Sequence, residues 1–161
     1  HERNVRFAQQ VLHPYRERVS RLVGRQGRIV SLIGDGHLVV FERLLCGVRF
    51  ALALHGSLHD DPIAIPRECS GHLRCKIGIH VGDPEIDPDQ PDDISGREVD
   101  FAARVCGYAR KEQTLLSESA AAQARDLELV GIAIGGPRQT RQALHGFGNV
   151  WLYWIEPDHF H

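Results

Sequence analysis

The side chain best placed to do chemistry in this sequence is Asp35. It stands in Gly34-Asp35-Gly36, between two apolar runs, Ile29–Ile33 and Leu38–Phe41. Asp-Gly between such runs signals a tight hairpin, because glycine takes the positive φ that the turn needs. A carboxylate there is either a plain turn residue or, held rigid between two strands, a ligand for a divalent cation. Asp93 opens D-I-S-G ahead of a helical pattern, so it reads as a helix cap or as one acid of an acidic loop. Arg104 lies on the polar side of an apolar helix, where a solvated or salt-bridged arginine is the default, and Asp100 on the same helix reads as structural. His55-x-x-x-His59-Asp60-Asp61 sets two imidazoles one helical turn apart, which suits a metal but lacks a third convergent ligand. The run Asp83–Asp93 holds six acids and three prolines. It lacks the glycine and terminal glutamate of an EF-hand, so a solvated loop is expected.

The elements that must position these groups follow from periodicity. Val5, Ala8, Val11, Leu12, Tyr15, Val19, Leu22 and Val23 recur at helical spacing, giving a helix over about Arg3–Val23 with Pro14 as a kink or restart. The Ile29–Phe41 hairpin follows, then a helix over about Arg43–His59 and a Pro-bearing loop over Asp60–Gly71. Leu73–Val81 alternates strictly, with Leu73, Cys75, Ile77 and Ile79 against Arg74, Lys76, Gly78 and His80, and predicts a half-buried strand. A short strand is placed near Glu85–Ile86 and a third helix over Val99–Ala109. Thr114–Ser117 is read as a strand, Glu118–Ala124 as a helical turn, Leu127–Ile134 as a strand and Val150–Ile155 as the closing strand. The sum is a single domain over residues 1–161, of class α+β, with an antiparallel-rich sheet and helices packed on one face.

Composition narrows the function. The 161 residues are 42% hydrophobic and 25% charged, as in an ordinary globular domain, and the formal charge of −2 points to no nucleic-acid or anionic-membrane partner. No apolar run approaches the roughly 20 residues of a membrane span, and no signal peptide is visible. Cys46, Cys69, Cys75 and Cys106 form no C-x-x-C pair and sit mostly among apolar neighbours, so reduced thiols and a cytoplasmic location are expected. A chain that starts at His1 and lacks Met reads as a fragment of a longer polypeptide.

Four segments taken in order carry a family likeness: I-G-D-G-H-L-V-V-F (Ile33–Phe41), L-R-C-K-I-G-I-H-V-G (Leu73–Gly82), D-I-S-G-R-E-V-D-F-A-A-R (Asp93–Arg104) and L-L-S-E-S-A (Leu115–Ala120). With the closing L-H-G-F-G-N-V-W-L-Y-W-I, the stretch from about Gln26 to Ile155 resembles the catalytic domain of class III adenylate and guanylate cyclases. The resemblance implies a ferredoxin-like nucleotidyl cyclase fold. It also implies conversion of ATP, or GTP, to a 3′,5′-cyclic monophosphate and pyrophosphate by two Mg²⁺ or Mn²⁺ ions at a dimer interface, between like chains or with a second cyclase domain.

Carried over, Asp35 matches a metal ligand within the Gly34–Gly36 turn, and Asp93 matches the base-reading acid, which leans the reading to ATP. Arg104 matches the arginine facing the developing phosphate charge, and Asp100 takes the place of the ribose-positioning asparagine. Ser31 stands where a base-reading lysine belongs. Leu144–Gly148 reads L-H-G-F-G, which lacks the phosphate-binding lysine. His145 is the one residue there that can carry charge, and Phe147 cannot. The strand bearing the family's first metal aspartate has no counterpart in this chain. Two functions are therefore expected of such a chain. One is a cyclase of adenylate type and low activity. The other is a degenerate cyclase homology domain that dimerises and binds nucleotide as a regulatory module.

Overall fold

A computed structural model describes residues 2–33, 35–66, 71–124, 127, 130–140, 144 and 146–155, with the side chains of 2–4, 33 and 91–93 left out. The chain opens with α1 (Glu2–Phe7), a π-helical turn (Ala8–Leu12) and α2 (His13–Val23). Pro14 sits in the first turn of α2, where its missing N–H costs nothing, and the widened turn just before it relieves the clash of the ring with the preceding helix. Val11, Val19 and Val23 are buried at four-residue multiples along this stretch, which fixes the inward face.

The hairpin is β1 (Gly27–Ile33) and β2 (Gly36–Phe41), antiparallel, with Ile33 opposite Gly36 and a bulge between Ile29 and Ser31. Next comes α3 (Leu44–Asp60), whose last turn is capped from α2. Arg18 donates to the Ser57 carbonyl at 3.1 Å and to the Asp61 carbonyl, and pairs with the Asp61 carboxylate at 3.0 Å.

The rest of the described chain is built on a four-stranded sheet and a two-stranded ribbon. The strands are β3 (Ile77–Ile79), β4 (Glu85–Asp87), β5 (Gln90–Ser95), β6 (Thr114–Ser117), β7 (Ile134–Gln139) and β8 (Trp151–Ile155). The order β3-β6-β8-β7 makes a four-stranded sheet in which only the β3–β6 pair is parallel, while β4 and β5 form a separate antiparallel ribbon. The expected α+β class and antiparallel-rich sheet hold.

The helices, expected on one face of the sheet, divide between two, because β6 and β8 carry apolar side chains on both faces. On one face, Leu116 and Ile155 pack with Val48 of α3 and with Ala120 of α5 (Glu118–Gln123). On the other, Leu115, Leu152 and Trp154 pack with Phe101, Val105 and Ala109, at or just beyond α4 (Arg97–Tyr108). Gly78 makes the second contact possible. A Cβ there would collide with the backbone nitrogen of Cys106, so only glycine lets α4 lie this close to β3.

Three further expectations change. The alternating Leu73–Val81 segment forms a ladder only at Ile77–Ile79, because its partner β6 is just four residues long. The acidic Asp83–Asp93 run is largely a hairpin, β4 and β5, and Asp93 sits in β5. Among the described residues of Leu127–Ile134, none before Ile134 is in a strand: Leu127 and Val130 lie in 3₁₀ turns, Gly131 takes φ 82°, and the strand begins at Ile134. Cys46, Cys75 and Cys106 form no disulfide among the described residues, and Cys69 lies outside them.

Candidate active site

Asp35 occupies the tip of the β1–β2 hairpin with an exposed side chain, and Gly36 begins β2; Gly34 lies outside the described residues. Ser31 is exposed on β1, opposite Leu38. Asp93 is on β5, and its side chain lies outside the description. Asp100 and Arg104 are both exposed on α4, four residues apart and so on one side of the helix. The fold brings β1 against β5, and β5 against α4, so the elements bearing Ser31, Asp93 and Asp100 adjoin in sequence. His145 is outside the described residues.

A metal fits only incompletely. Asp35 offers one exposed carboxylate, and among the described residues no group of three or more His, Cys, Asp or Glu side chains converges on an ion. The His55/His59 pair does not converge either. His59 is exposed beside Asp60, at 3.3 Å. His55 is buried, its Nε2 2.9 Å from Thr114 Oγ1 and its Nδ1 3.5 Å from Cys75 Sγ. Burial pulls the pKa of His55 down to about 4 and pushes the Cys75 thiol up to about 12, so both are neutral core groups. Next to the hairpin tip, His37 packs edge-on to Tyr15 at 5.6 Å, and burial lowers its pKa, with Arg16 adding to the shift.

Two constellations are absent from the sequence reading. The first centres on His80, just beyond β3. Its Nε2 lies 2.5 Å from Glu98 Oε2 on α4, and its Nδ1 is 2.7 Å from Ser117 Oγ and 3.2 Å from Ser119 Oγ. Ser117 also caps α5 by accepting from the Ala120 N–H at 3.2 Å, and Ser119 donates to the Val81 carbonyl at 2.8 Å. One imidazole thus ties β3, α4, β6 and α5 together. Alternation had grouped His80 with Arg74 and Lys76 as an outward set, but that side of β3 is covered by α4 near Gly78. Gly82 leaves room for the Glu98 carboxylate, which a Cβ there would strike.

The second is a stack at the start of α4. The Arg97 guanidinium carbon stands 4.4 Å from the Phe147 ring centroid, and Arg97 Nη2 donates to the Gly146 carbonyl at 3.4 Å. Phe147 in turn packs on Phe101 at 4.9 Å, and Phe101 meets the His80 ring edge-on at 4.7 Å. The only warning in the sequence is the aromatic Phe147 itself, since the contact joins positions far apart in the chain. Together, Arg97, Asp100 and Arg104 give one exposed side of α4 two guanidinium groups and one carboxylate. Such a face can hold an anionic ligand with donors to spare.

The sequence matches no protein-family model and no curated protein. Solved structures are similar in fold. Adenylate cyclases from Trypanosoma brucei, studied in their monomeric state, align with a TM-score of 0.71 at 19% identity, covering 94% of this chain and 82% of that one. The catalytic core of a rhodopsin-guanylyl cyclase with converted specificity, in complex with ATPαS, aligns at 0.74 with 17% identity, over 92% and 82%. The guanylate cyclase domain of RhGC from Catenaria anguillulae, in complex with GTP, aligns at 0.68 with 16% identity, over 92% and 82%. With its mixed sheet, two-sided helix packing and glycine-bounded hairpin, this chain has the fold of the class III adenylate/guanylate cyclase catalytic domain.

Proposed function

We propose that the chain is a class III nucleotidyl cyclase domain of adenylate type with low turnover. In this reading the ribose 3′-OH of ATP attacks the α-phosphorus, and the bond to pyrophosphate breaks. The observation that carries it is the cyclase fold with Asp35 at an exposed hairpin tip and Arg104 and Asp100 exposed together on α4. Arg104 faces the charge that develops on the phosphate. Asp93 accepts from the adenine amine, Ser31 donates one hydrogen bond to the base, and Asp100 orients the ribose. Mg²⁺ or Mn²⁺, when bound, would supply charge neutralisation through Asp35 together with a second acid. The relatives with ATPαS and GTP support a nucleoside triphosphate in either base class, and Asp93 favours adenine. A dimer, with itself or with a second cyclase domain, is part of the same reading. Exposed Leu32, Ile86, Tyr108 and Trp151 supply apolar surface for it.

The second reading, a nucleotide-binding regulatory module without turnover, is favoured by Ser31, which stands where a base-reading lysine belongs, and by the lysine-free Leu144–Gly148 segment. Each missing charge-assisted contact in a dry site removes ~2–4 kcal/mol of transition-state stabilisation. The test is cyclic AMP and cyclic GMP formation from ATP and GTP with Mg²⁺ and with Mn²⁺. Slow cyclic AMP formation abolished by Asp35→Ala supports the enzyme. Activity untouched by Asp35→Ala removes Asp35 from the metal site. ATP binding without product, weakened by Asp93→Ala, supports the module.

A further inference from the structure

We propose that Arg97 is the phosphate-anchoring cation of this domain, mounted on Phe147 and directed at the terminal phosphates of a nucleoside triphosphate; this rests on the cyclase reading above. Three observations carry it. First, Arg97 is exposed at the start of α4, and among the described residues no carboxylate is paired with it. A guanidinium carries five N–H donors, and the Gly146 carbonyl takes one of them. Second, the group is held in place. It lies 4.4 Å over the Phe147 ring, and that ring is itself fixed on Phe101. The contact removes rotamer freedom that an unsupported arginine would lose on binding. Third, the charge is arranged along one side of α4. Arg97 and Arg104 are seven residues apart, two turns or roughly 10 Å along the axis. Two guanidinium groups at that spacing suit an elongated polyanion better than a single phosphate. Asp100 lies between them and works against an anion at mid-helix, which leaves the two ends for phosphate oxygens.

The segment Leu144–Gly148 contributes no lysine to such a site. It contributes an aromatic platform and a carbonyl that present a cation from another element. Phe147, which by residue type cannot bind phosphate, thereby takes a part in doing so.

The test is calorimetric titration of the whole protein, in Mg²⁺, with ATP, GTP, inorganic tripolyphosphate and adenosine. Arg97→Gln is expected to weaken ATP, GTP and tripolyphosphate by a common factor of about tenfold or more, the worth of a charged hydrogen bond, and to leave adenosine unchanged. Arg97→Lys should fall between, because an ammonium keeps the charge but not the fork. Phe147→Leu, which keeps Arg97 and removes its platform, should weaken the same three ligands by a smaller factor. Unchanged tripolyphosphate binding in Arg97→Gln overturns the proposal. So does a change confined to the ATP:GTP ratio, which would make Arg97 a base reader. Tripolyphosphate binding that depends on Arg97, in a protein that binds no nucleotide, would keep the anion site and overturn the cyclase reading instead.

Discussion

Lowering the pH should destabilise this domain through His55 more than through any exposed histidine. His55 is 6% exposed, and its ring bridges Thr114 at the start of β6 and Cys75 just before β3. Burial lowers its pKa to about 4, against ~6.5 in an unfolded chain. The folded-state value is the depressed one, so the unfolded state takes up the proton first as the pH falls. The stability held by the neutral ring is therefore complete above a pH of about 6.5 and drains away between about 6.5 and 4. From these two values the loss is roughly 2 kcal/mol on moving from about pH 7.5 to about pH 5, levelling near ~3 kcal/mol below about pH 4. For a domain of this size, 2 kcal/mol corresponds to a fall of roughly 4–8 °C in Tm. The assay is urea denaturation of wild type and His55→Gln at the two pH values. The glutamine amide can still reach Thr114 but does not titrate. Every other titrating group, His37 included, is common to both proteins and cancels in the difference. Wild type should lose about 2 kcal/mol more than His55→Gln across this window. Equal losses would refute the argument that His55 is held neutral by its surroundings.

Gly78→Ala should cost about 1–3 kcal/mol in thermal or urea denaturation, because the new methyl meets backbone of α4, which cannot rotate away. An unchanged Tm would show that α4 can shift off β3 freely. Glu98→Ala strands the His80 N–H and should cost about 1–2 kcal/mol, with Glu98→Gln recovering most of it by accepting the same bond. No loss in Glu98→Ala would mean that the His80–Glu98 contact contributes nothing.

What could be read from the sequence was what neighbouring residues decide among themselves. The β1–β2 hairpin appears between the two apolar runs, although Gly36 lies in β2 opposite Ile33 and not in the turn, and β6 appears at Thr114–Ser117 as expected. The α3 helix begins one residue from the expected start and ends one residue later. What could not be read was decided by a partner strand. Ile134–Gln139, I-G-G-P-R-Q, has poor strand propensity yet is β7, because the regular strand β8 supplies the ladder it joins. Leu127–Ile134 has the better composition, yet its described residues before Ile134 are not in a strand, since Gly131 turns the chain. Gln90–Ser95 looked like solvated loop and is a strand for the same reason, with β4 as its partner.

The candidate site divides along the same line. Asp35, Asp100 and Arg104 fall at a turn tip and on one helix side, and local pattern placed them there. The direction that a strand face looks in is another matter. Alternation correctly separated Gly78 and His80 from Ile77 and Ile79, but took the former set as the wet one. That face receives α4, so a histidine scored as outward became the hub joining four elements. Phe147 shows the same limit at its sharpest. Matched position by position, L-H-G-F-G stands where the resembled family carries a phosphate-binding lysine. In space the ring lies under a guanidinium from a residue 50 positions earlier in the chain, Arg97, which no local comparison would pair with it. A site whose charges come from one element and whose supports come from another can change its letters while keeping its positive charge. The loss of a lysine in one loop is therefore evidence against activity only after the surrounding side chains have been located.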